Sequence, residues 1–237
     1  MCVVTNSMNN ISCIIPSFNE EARIGKVLDI VSNHPDIGEL IVVDDGSADG
    51  TLDVIKKYPN VKLIVHEKNQ GKSAAVYHGI KASMGRYILL LDADLVGLTQ
   101  QNISSLIKPI IDGRADVAIS LRKNAPKMWQ KIGIDYISGE RVFKKEILAD
   151  KIEEIPGLTG FGLEVFINQQ IIRKRCKIDI IIWDNVESPF KYKKYGWYKG
   201  VKSEIKMTMD IMRVISPFGP FYQIWQLSKL MISKPHK

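Results

Sequence analysis

Over residues 10–121 the chain alternates short apolar runs with segments of helical period, and few architectures accommodate that alternation. Runs at 11–15, 40–43, 61–65, 87–91 and 116–121 read as strands. Between the first two, Ile24, Val27, Leu28 and Val31 recur at the i, i+3, i+4, i+7 spacing of an amphipathic helix. Leu52 and Ile55 suggest a second helix, residues from about 72 a third, and Ile103, Leu106, Ile107 and Ile110 a fourth. Continuous apolar strands separated by helices imply an α/β fold, a mostly parallel sheet covered on both faces.

In such sheets ligands bind beyond the carboxyl ends of the strands. The residues just after each strand are PSFNEE (16–21), DDGSADGT (44–51), HEKNQGKS (66–73) and DADL (92–95). Carboxylates, amides, glycines and one lysine are thereby expected along one edge. Downstream the pattern is less regular. It suggests a loop or short helix at 129–137, a turn at SGER (138–141), a helix near 144–151, a TGFG turn, a helix at 164–173 and a strand at 178–183.

Several familiar chemistries fail on spacing. A P-loop needs a glycine five residues before Gly71, where His66 stands. Counted from Asp45, a calcium loop would need Glu where Lys56 stands. The dinucleotide fingerprint G-x-G-x-x-G follows no strand, and four scattered histidines lack zinc spacing. Cys2, Cys13 and Cys176 suggest neither a disulfide framework nor a zinc site, which fits a reducing, cytoplasmic setting. The first ten residues show no secretory pattern.

What survives is oxygen and cationic chemistry. Asp92 and Asp94 repel one another unless a cation lies between them, and oxygen ligands suit Mg²⁺ or Mn²⁺. A solvated turn is the plainer alternative. Lys72 at a helix N-terminus opposes the helix dipole unless an anion binds there too. Asp44 and Asp45 can accept hydrogen bonds from a base or ribose, whereas Ser47, Asp49 and Gly50 read as turn and cap.

Net charge is +7, and residues 191–237 hold ten Lys/Arg against Glu204 and Asp210. The basicity therefore belongs to the tail. A helix over 202–215 would group Lys202, Lys206, Asp210 and Arg213 on one side. Beyond Pro217 and Pro220, the residues Phe221, Ile224, Trp225 and Leu230/Met231 form a second apolar stripe. Basic residues beside Trp and Phe fit a helix lying in an anionic membrane interface, and a packing helix or a homo-oligomer contact is the alternative. Residues 214–228 are too short and too broken to span a bilayer.

Taken together and in order, IPSFNEE, VVDDGSADGT, NQGKSAA and LLLDADL resemble family 2 glycosyltransferases of the GT-A fold. The nearer likeness is to the dolichyl/polyprenyl-phosphate sugar synthases, and it continues weakly through SGERVFKKE and GFGLEVF. The resemblance implies a flexible N-terminus (1–10), a glycosyltransferase domain (11–200) with donor half 11–122 and acceptor half 123–200, and a basic amphipathic helical tail (201–237). It implies that Pro16, Phe18, Asn19 and Glu20 line the nucleoside pocket, with Asp45 on the base and Asp44 beside it. Lys72 would lie near the phosphates, and Asp92 and Asp94 would hold Mg²⁺ or Mn²⁺, Asp94 more directly. Arg122 and Arg141 match positions offered to an acceptor phosphate or the diphosphate. Glu140 departs from the more usual SGFR and leaves the acceptor open.

The implied reaction is inverting hexose transfer from a UDP- or GDP-sugar to a membrane-associated acceptor such as polyprenyl phosphate, at the inner face of the membrane. No nucleic-acid partner is expected. A phosphate acceptor is already ionised, whereas a hydroxyl acceptor needs a carboxylate base. Glu164 is the candidate base, and charge complementarity at a helix N-terminus is its other reading. The alternatives are a soluble glycosyltransferase acting on a small phosphorylated acid or glycan, and a non-catalytic sugar-nucleotide-binding subunit.

Overall fold

The computed structural model of the chain describes residues 10–125, 127–188 and 219–237. The helix expected over 202–215 and the N-terminal segment up to residue 9 lie outside the described residues.

Seven strands form one sheet in the order β3-β2-β1-β4-β6-β5-β7. In sequence these are β1 (Ile11–Ser17), β2 (Glu39–Asp44), β3 (Val61–Val65), β4 (Tyr87–Leu90), β5 (Val117–Arg122), β6 (Arg141–Lys144) and β7 (Ile178–Trp183). The helices are α1 (Ile24–Val31), α2 (Thr51–Ile55), α3 (Lys72–Ala82), α4 (Gln100–Ile111), α5 (Lys127–Ile132), α6 (Gly162–Arg173) and α7 (Gly219–Leu230). β1, β2, β3 and β4 run parallel, as do β5 and β7. β6 is antiparallel to both its neighbours.

The period-two alternation of β1 divides the core into two halves. Ile14 faces the side where Ile41 and Val43 pack against Ala75 and Ile80 of α3. Ile11, Cys13 and Ile15 face the other, against Ile24, Val27, Leu28 and Val31 of α1 and Ile103, Leu106, Ile107 and Ile110 of α4. Each of these large side chains contributes roughly 1.5–3 kcal/mol when fully buried. Burial on both faces explains why β1 reads as a nearly continuous apolar run, interrupted at Ser12.

Three expectations need correction. The run at 61–65 is a strand as expected, but it is not buried on both faces: β3 lies at the sheet edge, and Val65 is 51% exposed. Residues 144–151 do not form an α-helix; β6 ends at Lys144 and only a 3-10 turn, Lys145–Ile147, follows. SGER is not merely a turn, because Arg141 opens β6 and pairs with Leu90 of β4. Pairing to strands remote in sequence made β6, and a four-residue run has no local period to announce it.

The C-terminal residues are built into this domain. α7 buries Gln223, Ile224 and Leu227 and packs on α6. Residues 231–236 then run beside β7, with Ile232 N donating to Ile178 O and Ile182 N donating to His236 O. Asp179, fully buried in β7, accepts from Ser233 and His236 and faces Arg114. The outer sheet edge is thus covered.

Candidate active site

The strand ends converge as expected, with Lys72 at the centre. Its Nζ lies 2.8 Å from Asp92 Oδ1 and 3.0 Å from Glu164 Oε1. Three elements therefore meet at one ammonium: the start of α3, the exit of β4 and the first turn of α6. Burial alone would lower the Lys72 pKa, but Asp92 and then Glu164 outweigh it and hold the ammonium well above its usual range. Lys72 is a fixed cation at neutral pH.

Pro16, Lys72, Asp92, Gly139, Arg141 and Glu164 line one cavity at this edge, floored by apolar side chains of β4, α3 and α6. A Cβ on Gly139 would lie 2.9 Å from Asp92 Oδ1 and 3.0 Å from Lys72 Nζ, so a larger residue in the 138–141 turn would push the ion pair aside. Arg141 is fully buried. Its Nε donates to Ser138 O at 3.1 Å and one terminal nitrogen donates to Asn168 Oδ1 at 3.2 Å. Burial pulls its pKa down, yet a guanidinium stays charged. Glu164 is also buried, and its Oε2 has no hydrogen-bond partner among the described residues.

Other expected site residues are built into the walls. Asp45 is buried; Oδ1 accepts from His66 Nδ1 at 2.7 Å and Gln70 N at 2.9 Å, and Oδ2 from Gly71 N at 2.8 Å. Its carboxylate therefore sits at the N-terminus of α3 and offsets the dipole cost of Lys72 there. His66 completes a chain to His78 Nδ1 at 2.9 Å. Asp44 accepts from the Ser47 amide and hydroxyl. Asn19 and Glu20 stitch the first loop to the second, through Ala48 N donating to Asn19 Oδ1 and Glu20 N donating to Thr51 Oγ1. Phe18 stands on the surface beside them, 39% exposed.

Arg122 is held by two carboxylates rather than lining the cavity. Its guanidinium lies 3.1 Å from Asp135 and 3.3 Å from Glu140, and both carboxylates are fully buried. Glu140 also accepts from the hydroxyls of Ser120 and Ser138. Burial raises the Glu140 pKa, with Arg122 opposing and Asp92 adding to the rise. For Asp92 burial also pushes upward, but Lys72 and Arg122 keep it below the usual carboxylate range.

Asp94 lies half-buried beyond Asp92, and Ser188 Oγ donates to its Oδ1 at 3.3 Å. Among the described residues no group of three or more His, Cys, Asp or Glu side chains is arranged to hold a metal by itself. The site nevertheless fits a hard divalent cation that takes its remaining oxygens from a bound ligand. Around the cavity Lys72, Arg122 and Arg141 stand against Asp92, Asp94, Asp135, Glu140 and Glu164. This leaves a formal surplus of two negative charges, eased where Glu140 holds its proton more tightly.

Sequence reasoning missed Gly139, Asp135, Asn168 and Ser188. Gly139 had a signal in the SGER motif itself, whereas the others act through contacts no spacing reveals.

Comparison with known proteins follows the same lines. A dodecaprenyl-phosphate galacturonate synthase from Rhizobium johnstonii is 32% identical over 123 residues, covering 48% of this chain and 36% of that protein. A dolichyl-phosphate beta-glucosyltransferase from Dictyostelium discoideum is 35% identical over 106 residues, 38% of this chain and 32% of that protein. The chain thus spans about a third of the length of these relatives. An uncharacterized protein of Methanocaldococcus jannaschii is 38% identical over 199 residues, covering 70% of this chain and 83% of that one.

Among solved structures, glucosyl-3-phosphoglycerate synthase from Mycobacterium tuberculosis superposes with a TM-score of 0.69 at 20% identity, over 87% of this chain and 80% of that one. The same enzyme with Mn²⁺, UDP and phosphoglyceric acid gives 0.65 at 20% identity, covering 84% and 78% of the two chains. These likenesses establish the GT-A fold. The sequence model described as Glycosyl transferase family 2 matches residues 12–172, from β1 into α6 and across all four strand-end motifs, and the chain belongs to that family.

Proposed function

We propose that this glycosyltransferase moves a hexose from a nucleoside diphosphate sugar to a lipid-linked phosphate, inverting the anomeric centre, at a membrane surface. The observation that carries the reading is the Lys72 ammonium held between Asp92 and Glu164, beside the buried Arg141, in a cavity that residues of three strand-end motifs line. The polyprenyl- and dolichyl-phosphate relatives support the acceptor class.

Breaking the bond between the anomeric carbon and the diphosphate loads negative charge on the leaving oxygen. Lys72, fixed at the cavity wall, meets that charge as it develops and stabilises the transition state more than the ground state. Asp92 and Asp94 would hold Mg²⁺ or Mn²⁺, which supplies Lewis-acid neutralisation of the diphosphate when bound. Arg141 is the cation for the acceptor phosphate, since Arg122 is already paired with Asp135 and Glu140. An ionised phosphate needs no general base. In this reading Glu164 fixes Lys72 in place, and Asp45 sets the loop that closes over the nucleoside.

A second reading, transfer to a hydroxyl acceptor, draws on the unpartnered Glu164 Oε2, which could take a hydroxyl proton. Two measurements decide. Thermal-shift screening of UDP-, GDP- and dTDP-sugars with Mn²⁺ identifies the donor, because only a ligand of the native state raises the melting point. Transfer of labelled sugar from that donor to undecaprenyl phosphate is expected, with none to phosphoglycerate or free glycan. Transfer to the latter acceptors alone would overturn the lipid-phosphate reading.

A further inference from the structure

The outward face of α7 belongs to no feature described so far. Phe221, Tyr222 and Trp225 fall on one side of the helix at 63%, 60% and 51% exposure, while Gln223, Ile224 and Leu227 are buried on the other. The apolar stripe expected from sequence is therefore split. Ile224 serves the core, and the three large aromatics are left at the surface. The Tyr222 and Trp225 rings lie 5.9 Å apart, and Lys229 Nζ sits 3.3 Å from the centroid of the Trp225 ring. Gln226 donates to the Tyr222 hydroxyl, which marks the polar border of the patch.

Charge selects the partner. From residue 211 to the C-terminus there is no Asp or Glu, against Arg213, Lys229, Lys234 and Lys237. Aromatic rings with a polar edge and a lysine over one of them, in a stretch of sequence without acids, match the headgroup layer of an anionic bilayer. No helix among the described residues is long and apolar enough to cross a membrane, so α7 would lie on the surface.

The position of α7 gives the face a purpose. Tyr136 donates its hydroxyl to Gln223 at 2.5 Å, Asn168 donates to Tyr136 O at 2.9 Å, and Arg141 donates to Asn168 at 3.2 Å. A buried chain of hydrogen bonds thus joins the inner face of α7 to the cation assigned to the acceptor phosphate.

We infer that the Phe221/Tyr222/Trp225 face of α7, with Lys229, is a docking surface for an anionic lipid bilayer that seats the acceptor half of the site at the headgroups. The inference deepens the proposed function and rests on it for its purpose, but its test needs no catalysis. The full chain is floated with phosphatidylcholine vesicles, with and without phosphatidylglycerol. It is expected to float with the anionic vesicles and to be released by high salt. F221S/Y222S/W225S should weaken that binding at least about tenfold with an unchanged melting point, since each side chain is exposed. Lys229→Glu, which leaves the rings in place, should weaken it several-fold.

Unchanged flotation of the triple variant would overturn the proposal, as would equal binding to neutral vesicles. Concentration-dependent dimerisation abolished by the same variant, without vesicle binding, would assign the face to a second copy instead. A chain that floats yet transfers no sugar to lipid phosphate overturns the proposed function alone. One that transfers sugar to a short, water-soluble prenyl phosphate but never floats overturns the docking surface alone.

Discussion

Lys72 and Glu164 are 92 residues apart in sequence and 3.0 Å apart at their charged atoms. This pair ties the start of α3 to the first turn of α6. Removing the ammonium leaves a buried Glu164 and a half-buried Asp92 without their shared partner. Lys72→Met is therefore expected to lower kcat/KM by about 10²–10³-fold, the range for losing one preorganised donor to developing charge. The side chain is 36% exposed, so water screens the pair and the stability loss should be only about 1–2 kcal/mol. Lys72→Arg should recover most of the stability and less of the rate, because a planar fork replaces a point charge. Wild-type kcat/KM in Lys72→Met would remove Lys72 from the mechanism.

Asp150 offers a pH test away from the site. Hydrogen bonds first from Lys174 and then from Arg173 bring its pKa from 3.8 down to about 2. A depressed folded-state pKa means that the stabilisation is present above 3.8 and is lost as pH falls toward about 2. Asp150→Asn should melt below the wild type at neutral pH, and the two melting curves should converge under acid. Melting temperature measured across that window checks it, and a constant difference would contradict the assignment.

Ser188 connects the site to the segment after β7. Val96 and Glu187 form an antiparallel bridge with both hydrogen bonds made, and Asn185 Nδ2 donates to Gly97 O at 2.7 Å. On the other side Asn124 Nδ2 donates to Ser188 O at 2.7 Å. The segment is clipped between two loops, and the Ser188 hydroxyl arrives at Asp94 as a result. If Asp94 holds the metal as proposed, Ser188→Ala is expected to weaken Mn²⁺ binding in the presence of UDP by about tenfold, because the ligating carboxylate loses a hydrogen bond that orients it, with the melting point unchanged. Electron paramagnetic resonance of free Mn²⁺ reads this without turnover. A matching wild-type titration would mean that Ser188 leaves Asp94 unaffected.

Gly97 carries the geometry of the same clip. Its φ is +80°, and a Cβ there would stand 2.2 Å from Asn185 O. Gly97→Ala should cost about 1–3 kcal/mol by forcing the loops apart, and should reproduce the Mn²⁺ defect of Ser188→Ala. A destabilised variant with normal Mn²⁺ affinity would separate the clip from Asp94.

What was legible in the chain followed from local repetition. β1, β2, β3, β4, β5 and β7 are apolar runs in the sequence, and of the polar motifs beyond the strands Pro16, Lys72 and Asp92 come to line the cavity. What was not legible depended on partners remote in sequence. β6 exists because β4 and β5 flank it, and its four residues have no period of their own. Asp45 and Arg122 carry the residue types of a ligand site, yet their nearest partners are His66, Gln70 and Gly71 for the one and Asp135 and Glu140 for the other. Residue type specifies what a group can bind, and packing decides what reaches it first.

Glu140 tests that last point, because it is the residue at which the chain departs from the SGFR pattern. It is fully buried, accepts from Ser120 and Ser138, and lies 3.3 Å from Arg122. Glu140→Leu removes one carboxylate from a buried cluster and leaves Arg122 with Asp135 alone. A loss of about 3–5 kcal/mol is expected, because the two hydroxyls lose an acceptor and the guanidinium loses half its compensation. Glu140→Gln retains an acceptor oxygen and should cost much less. If Glu140 keeps Arg122 out of the cavity, Glu140→Gln should lower the KM for a phosphate acceptor while leaving the KM for the donor unchanged, since a partly released Arg122 adds a second cation beside Arg141. Parallel shifts in both constants would mean that Glu140 supports only the fold.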